Sequence, residues 1–343
     1  MSSTTPMRVG LDIGYSGVKI AYGSGKSPAV LNLHVGAAPL DRAAQSVDGG
    51  RSLGEGHEVM LDGVAWVAGA DPRTIEGFVR CMDASYPTTP EYMALYYAAL
   101  SAVGATRIST LVTGLPVRQF QIAAERDALR DRLVGRHYIR EGLTVEVESV
   151  LVVPQPAGAF MAHTLSEGLE AHERLRPDDT CLIVDPGHYS LDWIAYMGGF
   201  QNKSSGSTSQ AGQVIIERAA QLLSSQHKVK VSEAKLERAV ITRQRTLQVG
   251  NVEMNFWPAL EAEAADIVEK SMTQVRGSIR AVSDRQGVDL VVLTGGGAGL
   301  FEAAIRNAFP DSRVAVVKDS VLANARGFFQ IAGKSAPAAA KAA

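Results

Sequence analysis

The chain has 343 residues, 46% of them hydrophobic and 20% charged, with a formal net charge of −2. That length exceeds one compact core, so two lobes are expected, and the near-neutral balance excludes a basic footprint for nucleic acid. Cys81 and Cys181 have no metal-ligand spacing and point to a reducing compartment.

The first predicted element is a hairpin over residues 9–21. Val9, Leu11 and Ile13 alternate with small or polar positions, as a strand requires, and Val18 and Ile20 resume the alternation. Gly14 and Gly17 bracket a tight turn, where positive φ or close backbone approach is expected. Asp12 leaves the first strand beside turn amides, and Lys19 returns on the second. Turn amides plus a lysine make an anion site, and a neighbouring carboxylate suits a hydrated Mg²⁺ that travels with phosphates. An ordinary hairpin with one exposed Asp and one exposed Lys has the same pattern. Residues 24–89 are rich in Gly, Asp and Pro with short strands, and read as an inserted small subdomain; Gly49-Gly50 and Asp62-Gly63 are turn signals. Thr89 can cap a helix over 90–102. A buried strand at 108–113 ends in Thr113-Gly-Leu-Pro116. A helix over 120–134 and one or two strands over 143–153 follow. Gln155 then stands at a strand-to-helix junction, with Ala157, Gly158 and Ala159 small enough for close approach of two elements. The helix is expected to run to 169, and a lobe boundary is expected at about 174.

Residues 181–195 repeat the opening logic. An apolar strand ends in Asp185, the turn contains Gly187, and a second strand begins near Ser190. The register Asp-x-Gly-x-x-Ser echoes Asp12-Ile-Gly14-Tyr15-Ser16, and Asp192 stands where Lys19 stood. Two such hairpins, one per half, imply an internal duplication with a nucleotide between the halves. A helix over 211–223, a second insertion over about 228–258 and a long amphipathic helix over 259–282 come next. The strand at 289–293 runs into Gly295-Gly296-Gly297 and a helix, an arrangement that seats anions or nucleotides. A strand at 314–317 and a helix over 320–331 precede a tail, 333–343, that is low in complexity, expected to be disordered, and without the apolar face of a membrane-anchoring helix. No apolar run approaches the roughly 18 residues of a membrane span. No signal peptide is expected from the first residues, which lack a charged stretch followed by an apolar one.

These five pieces, in this order, resemble the actin, Hsp70 and sugar-kinase superfamily over nearly the whole chain. Residues 12–19 look like its first phosphate hairpin, 152–160 its first connecting helix, 185–192 its second phosphate hairpin, 293–299 its adenosine motif and 319–328 its second connecting helix. The length and Thr113-Gly-Leu-Pro-Val117 are most similar to the ParM/StbA group of bacterial actin-like ATPases that segregate plasmids. The resemblance implies an α/β, actin-like fold. Each of two lobes (1–174 and 175–332) would hold a ribonuclease-H-like mixed sheet flanked by helices, with an insertion in each. It assigns Asp12 to a hydrated Mg²⁺, and Gly14, Tyr15, Ser16, Gly17 and Lys19 to the β-phosphate side. Gly187 and His188 would lie at the γ-phosphate. Asp185 would orient metal-bound or attacking water, Gln155 would position the attacking water, and Gly295, Gly296 and Gly297 would pack against adenine and ribose. The implied activity is a cytoplasmic, filament-forming ATPase using Mg²⁺ and ATP, with GTP possible. It would self-assemble, reach plasmid DNA through a DNA-binding adaptor, and touch neither nucleic acid nor membrane directly. Pro186-Gly187-His188-Tyr189 departs from the usual glycine-rich second turn, and His188 is expected to be an exposed turn residue. Trp66, Val67, Phe78 and Val79 are expected to be exposed on the first insertion. A monomeric phosphotransferase of the sugar-kinase type is the alternative function; it would need a sugar-binding cluster, which the sequence does not offer.

Overall fold

The computed structural model describes residues 6–45, 53–280 and 287–335. The chain divides into two compact units, residues 1–168 with 317–343, and residues 169–316. The Gly49-Gly50 turn signal, the first five residues and the tail beyond Ser335 lie outside the described residues.

In the first unit, β1 (Arg8–Ile13) and β2 (Val18–Gly23) pair antiparallel, and β3 (Ala29–Leu33) joins the far edge of β2. A separate small sheet holds β4 (Gly36–Pro39), β5 (His57–Leu61) and β6 (Val64–Ala70), in the order β4-β6-β5. Helix α1 (Pro90–Val103) starts where Thr89 Oγ1 accepts the Tyr92 amide at 3.2 Å, and it stops at Gly104, which is left-handed. Both ends are thus set by local residues. Then come β7 (Arg107–Ile108), β8 (Thr110–Leu115), α2 (Val117–Phe120), α3 (Ala123–Leu133), β9 (Gly135–Arg140), β10 (Leu143–Val147), β11 (Val150–Pro154) and α4 (Gln155–Thr164). The main sheet reads β3-β2-β1-β8-β11, antiparallel on the β3 side and parallel on the β11 side.

The second unit repeats this plan. Its strands are β12 (Cys181–Pro186), β13 (Leu191–Tyr196) and β14 (Gly206–Thr208). Helices α5 (Gly212–His227) and α6 (Glu233–Ile241), the hairpin β15 (Leu247–Val249) and β16 (Val252–Met254), and α7 (Trp257–Arg280) follow. The unit closes with β17 (Leu290–Leu293), α8 (Ala298–Ala308) and β18 (Arg313–Val316). Its sheet reads β14-β13-β12-β17-β18, again three antiparallel strands followed by two parallel ones. Leu182, Val184, Leu191 and Trp193 of the central hairpin share one core with Ile215 and Leu223 of α5 and Ile267, Val268 and Met272 of α7.

The last helix, α9 (Ala323–Ser335), was expected in the second lobe but belongs to the first unit. It lies on β1 and crosses α4. A Cβ built on Gly10 would stand 2.2 Å from the Ala325 carbonyl oxygen, and one on Gly327 would stand 1.7 Å from that of Gly158. Backbone therefore meets backbone at this crossing. Asn324 Oδ1 accepts the Ala159 amide at 3.1 Å and locks the register.

Four other expectations are corrected. Strand β3 completes the main sheet, so the first insertion begins after it, not at residue 24. The unit boundary falls at 168/169 because the Arg313 guanidinium pairs with Asp179 and donates to the Arg174 carbonyl, tying that segment to β18. Residues 333–335 are helical, not tail. Trp66 and Val67 are buried, since β6 is the central strand of its sheet; of the four apolar residues named, Val79 is the fully exposed one, at 83%.

Candidate functional site

The first hairpin puts Asp12 opposite Lys19, and the four residues Gly14 to Gly17 close a turn in which the Gly14 amide donates to the Gly17 carbonyl at 3.0 Å. Neither glycine needs a positive φ. Their missing side chains serve space instead: a Cβ on Gly14 would stand 3.3 Å from Lys19 Nζ, and one on Gly17 would stand 3.1 Å from Asn32 Oδ1. The Lys19 ammonium thus lies over the turn. Asp12 and Lys19 are both buried, not the exposed pair of an ordinary hairpin. Burial raises the Asp12 carboxyl above the usual carboxylate range, while the Lys19 charge and a hydrogen bond from Gln155 pull it back down. A carboxylate in that setting is favoured by any further cation brought to it.

Gln155 is the first residue of α4, and its Nε2 donates to Asp12 Oδ1 at 3.2 Å. An ionised carboxylate only accepts, so this contact fixes the amide: nitrogen toward Asp12, oxygen left as an acceptor. The approach depends on Gly114 in β8, where a Cβ would stand 2.8 Å from Gln155 Cγ and 2.6 Å from Phe328 Cζ. Gly114 was not singled out from the sequence. Its signal was there, since a glycine inside a buried strand marks close approach. Tyr15 is diverted: its hydroxyl donates to the Asp83 carbonyl at 2.8 Å and its ring lies 4.9 Å from that of Tyr86. Ser16 is exposed at the tip.

In the second unit, Asp185 pairs with Asp192 across β12 and β13, and the Gly187 amide donates to the Ser190 carbonyl at 2.8 Å. This is the same four-residue closure. The turn is fastened from outside. The carbonyls of Pro186, Gly187 and His188 accept from the amides of Gly297 (2.9 Å), Gly212 (3.2 Å) and Gln213 (2.7 Å). Gly212 and Gln213 open α5, so the turn takes up helix amides that have no partner within the helix. Peptides are planar and trans, so carbonyls turned toward α5 send the amides of His188 and Tyr189 the opposite way. Asp192 is buried and accepts from the hydroxyls of Ser190 at 2.5 Å and of Ser207. It serves as a structural acceptor. His188 is not an exposed turn residue, because its Nδ1 lies 3.3 Å from Glu237 Oε1 on α6.

The glycine run divides by role. Gly295 has φ +80°, and a Cβ there would stand 2.1 Å from Asp185 Oδ1; one on Gly297 would stand 2.8 Å from the Pro186 carbonyl. Both glycines hold the strand end that carries Asp185. Gly296 is exposed with open space at its Cβ position. Among the described residues, no three His, Cys, Asp or Glu side chains cluster as a metal cage. Single acidic residues at the hairpins fit a cation that keeps its waters and arrives with phosphates, as Mg²⁺ does. No helix among the described residues is long and apolar enough to cross a membrane.

Two units built on one five-strand plan, each opening on an Asp-bearing hairpin and the first closed by crossed helices, define the actin-like fold. Residues 10–158 match the family described as the N-terminal domain of actin-like proteins. The chain thus has the actin-like fold, and over residues 10–158 it is similar to that family's N-terminal domain. It is similar to Ta0583, an archaeal actin homologue, with a TM-score of 0.76 and 18% identity over 96% of this chain and 100% of that one. The ADP complex of Ta0583 gives 0.72 and 17% over 96% and 100%. A subunit of a 15-stranded ParM filament from Clostridium botulinum gives 0.73 and 14% over 96% and 100%. No curated protein sequence matches the chain.

Proposed function

We propose that this chain is a nucleotide-dependent, filament-forming ATPase of the ParM/StbA type. It converts ATP and water to ADP and phosphate, acts in the cytoplasm, and moves or segregates plasmid DNA through a DNA-binding adaptor. The observation that carries the reading is the Gln155 amide held on the buried Asp12 carboxylate beside the Lys19 turn. Asp12 would hold Mg²⁺ through its waters, and Asp185 would orient water from its own hairpin; when bound, Mg²⁺ neutralises charge on the phosphates. Lys19 and the turn amides bind and orient phosphate oxygens. The Gln155 oxygen, turned away from Asp12, accepts a hydrogen bond from the attacking water and so orients its lone pair. Phosphoryl transfer of this kind works by positioning and charge stabilisation, with no covalent step for the protein to perform. The ADP-bound relative and the filament relative support the nucleotide and the assembly respectively.

The test is sedimentation with electron microscopy in MgATP, MgADP and a non-hydrolysable analogue, with released phosphate counted in parallel. GTP is the second nucleotide to try. Expected are filaments with ATP or the analogue that shorten as phosphate is released. Small, nucleotide-independent species at tens of micromolar protein would refute assembly, and absence of nucleotide binding at millimolar concentration would refute the ATPase.

A further inference from the structure

The His188–Glu237 contact lies outside the roles described so far. Their side chains are 13% and 15% exposed, so this is a half-buried, charge-assisted pair, not a solvated surface pair. It joins two elements that the sequence separates by 49 positions: the second phosphate-type turn, and helix α6 of the outer insertion. Beneath Glu237, Leu236 and Ala239 fix α6 to the unit's core. Lys235 Nζ donates to the Gln248 carbonyl in β15, and Trp257 Nε1 donates to the Gln244 carbonyl at 2.9 Å. A chain of contacts therefore runs from the turn through α6 to the 242–257 segment. The turn itself is pinned on its α5 and α8 sides by backbone bonds, and Glu237 restrains its His188 side chain.

We propose that Glu237 is a positioning residue for the second turn. It holds His188 so that the turn presents one backbone conformation to a bound nucleotide, and the same contact carries occupancy of the turn to the outer insertion. This inference rests on the nucleotide reading above. The side chain acts through His188, and nothing in the arrangement requires Glu237 to touch the ligand.

The test uses the full chain, MgATP and MgADP. Calorimetry on His188→Ala, Glu237→Ala and the double variant forms a cycle. The three tryptophans, labelled with 5-fluorotryptophan, report by fluorine NMR, with Trp257 assigned by W257F. Each single variant should weaken nucleotide binding by about tenfold, and the double variant should be no weaker than the poorer single, because contacting residues couple. In the wild type, saturating nucleotide should shift the Trp257 signal; in Glu237→Ala at saturation that shift should disappear. Glu237→Gln keeps an acceptor oxygen for the imidazole and should restore most of it. Additive losses in the cycle, or a wild-type Trp257 shift in saturated Glu237→Ala, would overturn the proposal. A wild type that binds nucleotide while Trp257 stays still removes this inference alone; a wild type that binds none removes the nucleotide reading as well.

Discussion

The two hairpins share a register and a turn closure but differ in what holds them and what charge they bear. The first is closed on itself by the Gly14–Gly17 bond and covered by Lys19. The second carries Asp192 at Lys19's place, tied up by two serines, and is held by the first amides of α5 and by Gly297. The first turn thus brings a buried side-chain point charge, and the second brings oriented backbone dipoles held by hydrogen bonds from outside the turn. One duplicated plan has been specialised in two ways, and the difference is chemical, not topological.

The largest expected effect removes what the hairpins share. Asp12→Ala and Asp185→Ala should each lower phosphate release by about 10³-fold with circular dichroism unchanged. Folded variants that still hydrolyse ATP would break the equivalence of the two carboxylates. Gln155→Ala comes next, with turnover down about 10²-fold and nucleotide affinity nearly intact. Combined with Asp12→Ala it should add little, since the two act as one unit; full additivity in turnover would separate them.

The difference in charge and mounting gives a smaller, sharper pair of tests. Lys19→Met should weaken MgADP binding measured by calorimetry, while Asp192→Asn should leave it unchanged and instead lower the urea midpoint. Likewise Gly187→Ala, whose Cβ would stand 2.9 Å from the Ser190 carbonyl, should cost about 1–3 kcal/mol of stability. Gly14→Ala meets the side-chain end of Lys19 at 3.3 Å and the Gly17 carbonyl at an ordinary contact of 3.6 Å, and should cost about 0.5 kcal/mol or less. Equal costs at the two glycines would mean that the turns are mounted alike.

The smallest effect is in pH. Burial holds His57 and His137 of the first unit below the usual histidine range; at His57 the Arg140 charge adds to this, and at His137 a hydrogen bond to the Leu133 carbonyl partly opposes it. A lowered folded-state value means that the fold prefers neutral imidazole. The resulting stability is complete above the unfolded value of about 6.5 and is lost as pH falls through it toward the folded value. Hydrogen exchange at pH 7.5 and pH 5.5 should show the loss in the first unit, and His137→Gln should flatten it. A change of equal size in the first unit of His137→Gln would assign the pH dependence elsewhere.

Much of this was legible in the residues. Alternation at Val9, Leu11 and Ile13 and at Val18 and Ile20 drew the first hairpin, and Thr89 marked the start of α1. Gln155 was readable at its strand-to-helix junction, because a valine strand ending at a proline leaves few alternatives. The hairpin of β15 and β16 inside the second insertion was not read, although Gly250, at φ +58°, is the residue that turns the chain between them. The predicted extension of α4 to residue 169 failed, its polar end having no face to bury.

What the sequence determined by itself is whatever depends on neighbours along the chain: strand alternation, helix caps, the repeated Asp-x-Gly spacing and hence the duplicated plan. Tertiary structure alone decided which residues meet across long separations. It sent α9 to the first unit, because Gly10, Gly158 and Gly327 let backbones touch there. It also turned Tyr15 toward Asp83 and Tyr86, buried Trp66 by placing β6 between two strands, and set Glu237 against His188. Local propensity carries no information on such partners, since each is chosen by shape and charge complementarity that exists only once the chain has folded back on itself.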